Sequence, residues 1–121
     1  MTNTKTAVVG LYQYKATLIR VVDSDTLILL VNLGFKVHKE VTVRLARINA
    51  PETSTLEGKT SKAFLESLLS NQQEVLLISN KLDSYGRSIG EVTLKDNTNN
   101  FTINLSDYLV DSKIAVYRDY K

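Results

Sequence analysis

The chain contains no cysteine. No disulfide framework can hold it together, and no thiolate zinc centre can form. Its single histidine, His38, rules out a His-rich metal site and leaves little room for a histidine-based catalytic triad. Any metal must therefore be held by oxygen ligands, which favours calcium, magnesium or manganese. Charge of one sign is also missing, since 15 Lys and Arg against 13 Asp and Glu leave a net charge of only +2. The whole-molecule field argues weakly for a polyanionic partner, so any basic footprint must be local. No apolar run is long enough for a signal-peptide core or a bilayer span, and a cytoplasmic protein without membrane contact is expected.

What is present fits an ordinary globular protein, 121 residues long with 43% apolar and 23% charged residues. That length supports one domain with one core, spanning residues 1–121, with 1–12 as a flexible or additional N-terminal segment. Lys15 to Val22 and Thr26 to Val31 are rich in β-branched and aliphatic residues. Asn32-Leu33-Gly34-Phe35 reads as a turn, and Val37 to Ile48 alternates, with Val41, Val43 and Leu45 opposite Thr42 and Arg44. This predicts a three-stranded meander ended by Pro51. Gly58 to Asn71 shifts to a helical period, and Glu74–Ser79 and Ser88–Leu94 read as two further strands. A short helix is expected over about Asn104 to Val110, with Leu105, Tyr108 and Leu109 buried, followed by an extended tail at Ile114–Tyr117. The expected fold is β-rich α+β, an OB-fold five-stranded barrel with one inserted helix and a short second helix.

Three short segments carry the candidate chemistry. Asp23-Ser24-Asp25 interrupts two strand-like runs, and in an extended backbone both carboxylates would share a face. Such a pair needs an offsetting cation or arginine, although Asp-Ser-Asp is also an ordinary polar turn. Arg44 interrupts an alternating apolar strand with a planar fork of donors suited to phosphate, or to a structural ion pair. Asn49-Ala50-Pro51-Glu52 follows, placing an amide oxygen and then a carboxylate that could order or deprotonate water. Later, Tyr85-Gly86-Arg87 sets a second arginine on a turn. Tyr117 and Tyr120, beside Lys113, Arg118 and Lys121, are candidates for stacking on bases. His38, between Lys36 and Lys39, reads as solvated. Carboxylates that can hold a divalent cation, with two guanidiniums that can grip a phosphate, point to phosphodiester cleavage.

In this order the segments resemble the staphylococcal nuclease (thermonuclease) family, from about Lys15 to Tyr120. The resemblance is most specific in Ile19–Thr26, Val43–Leu45, Ile48–Glu52 and Tyr85–Arg87. It implies an OB barrel, Ca2+ as the usual cofactor with Mg2+ or Mn2+ as alternatives, and hydrolysis of DNA and RNA at the 5′-oxygen. Position by position, it implies Asp25, Asn49 and the Ala50 carbonyl as metal ligands, with Asp23 in the metal's outer shell. Glu52 matches the glutamate holding the attacking water, Arg44 and Arg87 the two phosphate-neutralising arginines, and Tyr85 and Tyr117 tyrosines near the nucleotide. Asn49 stands where the staphylococcal enzyme has an aspartate, so weaker metal binding is expected. Ser24 stands in place of a glycine. The sequence ends at Lys121, before the helix that closes the staphylococcal enzyme, which suggests a compensating dimer or other partner. The rival expectation is an inactive OB module that binds single-stranded nucleic acid without cutting it, and a protein scaffold is a third.

Overall fold

In a computed structural model, residues 12–70, 72–82 and 86–118 are described here, without the side chains of residues 80–82. Residues 1–11, the segment Asp83-Ser84-Tyr85 and Tyr120 lie outside them, and with them the expectations for an N-terminal extension and for two tyrosines.

The first three strands form the expected meander. Strand β1 (Gln13–Asp23) pairs antiparallel with β2 (Thr26–Asn32), and β2 with β3 (His38–Leu45). After a two-residue strand β4 (Ile48–Asn49), the chain enters helix α1 (Leu56–Leu68). The Thr55 hydroxyl caps the helix by accepting from the Gly58 amide, so α1 starts two residues earlier than its apolar period suggests. Leu65 is fully buried beneath it.

Strand β5 (Glu74–Leu82) returns alongside β1, and β6 (Ser88–Lys95) pairs antiparallel with β5. β6 then meets β3 in parallel over Val43–Leu45, which closes the barrel in the order β1-β2-β3-β6-β5. Closure leaves the inward positions dry, including Leu27, Leu29, Val43, Leu45, Leu77 and Val92. β7 (Phe101–Asn104) extends the sheet beside β6, and helix α2 (Leu105–Asp111) follows directly with Asn104 as its N-cap. A two-residue strand β8 (Val116–Tyr117) pairs with β4. The architecture is a closed five-stranded OB-type barrel with two helices. Among the described residues, no helix is long and apolar enough to cross a membrane.

Two expectations need correction. Tyr108 is 38% exposed instead of buried, because the short α2 sets its inner face with Leu105, Ser106 and Leu109. Asp23 and Asp25 do not share a strand face either. Asp23 pairs with Thr26, so Ser24 and Asp25 are the two residues of a tight turn, where strand alternation no longer applies.

Candidate active site

The β1–β2 turn, the end of β3 and the segment after β4 meet at one end of the barrel through hydrogen bonds that the strand register allows. The Leu45 amide donates to the Asp25 carbonyl at 2.9 Å. The Ser24 hydroxyl, only 2% exposed, donates to the Pro51 carbonyl at 2.6 Å. A glycine could not make that second bond. Ser24 therefore ties the turn bearing Asp25 to the loop bearing Glu52, a positioning role that its place between two aspartates does not announce.

Arg44 is 9% exposed, a buried guanidinium inside the barrel rim. Its guanidinium donates to the carbonyls of Leu45 at 2.7 Å and Ile48 at 3.0 Å, and lies 3.3 Å from Asp25 Oδ2. The Thr26 hydroxyl donates to Asp25 Oδ1 at 3.0 Å. A buried guanidinium costs several kcal/mol of desolvation unless its donors are met. Here two carbonyls and a carboxylate engage part of the fork and fix its position before any ligand arrives.

The result is a cleft of about 450 Å³ lined by Asp23, Asp25, Arg44, Asn49, Ala50, Glu52 and Arg87, with Ser24 and Thr53 between them. The structure thus brings together every candidate catalytic and metal-ligating position. Glu52 is exposed at its mouth. Gly58 is what lets α1 pack against this loop, since a Cβ there would fall 1.7 Å from the Glu52 carbonyl oxygen.

Tyr117 is placed differently. Its hydroxyl donates to Asp107 at 2.8 Å and its ring lies under Arg47, so it faces α2 and not the cleft. Strand alternation instead turns Val116 toward a groove beside Asn49 and Pro51, which Lys113 also lines. Tyr85 lies outside the described residues.

The sequence gives no warning of Arg47. It sits at φ 67° in the turn between β3 and β4 and reaches Glu91 at 2.6 and 3.0 Å, Asp107 at 2.9 Å and Asn104 at 3.2 Å. These bonds to Glu91 and then Asp107 hold Arg47 firmly protonated, against the opposing effect of partial burial. The Arg47 bond in turn holds the Asp107 carboxyl below its usual range, with desolvation opposing and Tyr117 assisting. The Ser106 hydroxyl and the Arg118 amide bind the carbonyls of Ala46 and Arg47. The turn whose flanking carbonyls grip Arg44 is thereby bolted to β6, α2 and β8.

Residues 42–121 match the family model described as staphylococcal nuclease homologue. The chain belongs to the staphylococcal nuclease family. The match covers Arg44, Asn49, Glu52 and Arg87, while Asp23 and Asp25 precede it. The chain is also 34% identical over 79 residues to a micrococcal nuclease of Shigella flexneri. That alignment takes in 65% of this chain and 42% of the relative, so the chain spans less than half the relative's length. Within this staphylococcal nuclease fold, the cleft residues fit a hard divalent cation. Asp25, the Asn49 amide and the Ala50 carbonyl supply hard oxygens. Among the described residues, no three carboxylate or imidazole side chains converge on one metal position. Amide, carbonyl and water oxygens would have to complete such a shell. Thr53 Oγ1, buried without a protein partner, is a further polar atom at the cleft.

Proposed function

We propose that this chain is a divalent-metal-dependent endonuclease that hydrolyses phosphodiester bonds of DNA, and of RNA as well, with little sequence specificity. The observation that carries the reading is the company Glu52 keeps. A cleft built only to hold phosphate would gain from Arg44 and Arg87 and lose from a carboxylate beside them. A cleft that also activates water needs that carboxylate.

In this reading Arg44 and Arg87 receive the phosphate and offset the charge that grows on its oxygens in the transition state. Arg44 does so from a fixed position, so little reorganisation accompanies the reaction. Glu52 accepts a proton from water as the new P–O bond forms and the bond to the 5′-oxygen breaks. The departing oxygen takes its proton from solvent. Asp25, Asn49 and the Ala50 carbonyl would hold the cation, with Asp23 in its outer shell; their hard oxygens suit Ca2+, Mg2+ or Mn2+, and membership of the family favours Ca2+. When bound, the cation supplies Lewis-acid neutralisation of the phosphate.

The test is cleavage of single-stranded DNA and RNA by the purified protein in calcium, magnesium, manganese and EDTA. Cutting that requires a metal supports the proposal. Tight binding without cutting in every metal, by a folded protein, would make the chain a nucleic-acid-binding module instead.

A further inference from the structure

The parallel pairing of β3 with β6 lasts only from Val43–Leu45 against Ser88–Gly90. β6 begins at Ser88, so toward the β2–β3 hairpin tip β3 runs past the end of β6, and beside it lies a groove of about 450 Å³ whose far wall includes Leu77 and Ser79 of β5. Arg87 lines this groove and the cleft alike, so the two adjoin at that side chain. Tyr14, Val41 and Leu77 give the groove aromatic and aliphatic walls, and Lys39 lies along it.

Beyond the groove stands the hairpin tip. Gly34, Phe35 and Lys36 all adopt positive φ, at 83°, 55° and 63°. Three bonds hold the turn, each 2.8 Å: the Leu33 amide to the Val37 carbonyl, the Val37 amide to the Gly34 carbonyl, and the Gly34 amide to Asn32 Oδ1. Left-handed backbone costs roughly 1–2 kcal/mol at a residue with a side chain. The reward is not burial, because Phe35 is 99% exposed. A fully exposed aromatic on a strained, hydrogen-bonded turn, next to Lys36 and near Lys39, suits a base and its phosphates.

We propose that this groove and the hairpin tip form an extended binding track for the single strand leaving the cleft, with Phe35 stacking on a base and Lys36 and Lys39 taking phosphates. Glu40 also lines the groove, so bases would occupy its interior and the phosphate backbone its Lys39–Arg87 rim. The span can be sized from the register. From Thr26↔Arg44 to Asn32↔His38 is six residues, or roughly 20 Å at about 3.4 Å each. A stacked strand rises about 3.4 Å per nucleotide, so the track holds about six. The proposal rests on the nuclease reading for the identity of the ligand.

The experiment measures binding of labelled oligothymidylates of two, four and eight nucleotides in calcium, using the full chain with Glu52→Gln to block turnover. Cleavage of the dinucleotide and the eight-mer by the unmodified protein is followed alongside. Affinity should rise with length, and Phe35→Ala should weaken the eight-mer at least about fivefold while sparing the dinucleotide. Phe35→Tyr should restore it. Lys36→Ala with Lys39→Ala should lower the log–log salt slope for the eight-mer by about 1.4. Length dependence that is absent, or unchanged by these variants, would overturn the track while dinucleotide cleavage leaves the nuclease standing. Failure to bind any oligonucleotide, together with failure of the unmodified protein to cut the eight-mer, would remove both readings. Phosphatidylglycerol vesicles serve as a control, and Phe35-dependent binding to them alone would assign the tip to a membrane surface and end the proposal.

Discussion

Replacing Arg47 should cost stability in a way that separates its charge from its backbone. Its guanidinium makes a bidentate contact with Glu91, whose side chain is 17% exposed, and a more solvated one with Asp107 at 43%. Exposed pairs contribute roughly 0.2–1 kcal/mol, and charge-assisted bonds near the surface rather more. Half the Arg47 side chain faces solvent, which screens the total to about 2 kcal/mol for Arg47→Ala. In a chain of this size 1 kcal/mol moves Tm by roughly 4 °C, so the variant should melt about 8 °C lower. Arg47→Gly removes the same contacts but also relieves the left-handed strain at φ 67°, returning about 1 kcal/mol. It should therefore melt above Arg47→Ala and below the parent. In 1 M salt, where screening acts over about 3 Å, the Ala deficit should shrink. Thermal melting by circular dichroism reads all three. An Arg47→Ala protein melting with the parent would refute the clamp. A glycine variant melting below the alanine one would refute the strain.

Other consequences are simpler. Gly58→Ala sets a Cβ against the Glu52 carbonyl, and should lose about 3 kcal/mol by urea titration together with most cleavage activity. An unchanged urea midpoint would contradict that packing. Asn49→Asp adds a charge to the proposed cation shell and should tighten calcium binding about tenfold by calorimetry, whereas equal affinity would place Asn49 outside the shell. Because the Asp107 carboxyl is held below its ordinary value when folded, its contribution is complete above the unfolded value and fades as pH falls through the acid range. Asp107→Asn should accordingly flatten the stability profile below pH 4, and parallel profiles would dissociate Asp107 from acid unfolding.

The parts of the site legible in the sequence are those spelled within a few residues. Asp25, Arg44 and Glu52 each stand where an alternating apolar strand stops, and a strand end at a barrel rim is where side chains can meet. What was illegible depends on distant partners. Ser24 matters because of Pro51, 27 positions on, and Arg47 because of residues 44 to 60 positions away. No local pattern encodes either contact. The strands β4 and β8 are two residues each, too short to show a period, and their pairing decides that Val116 and not Tyr117 turns toward the cleft side. β7 is hidden for a similar reason, a four-residue strand running straight into a helix. Tyr108 misled because a two-turn helix has a narrow buried face.

In the proposed reaction Glu52 activates water in a cleft where Arg44 and Arg87 hold the phosphate. The most direct measurement is the single-turnover rate of DNA cleavage at saturating metal for Glu52→Gln beside the parent, with Tm recorded for both. A rate at least about 100-fold lower at unchanged Tm is expected, the scale of a lost general base. A folded Glu52→Gln protein cutting at the parent rate would contradict it.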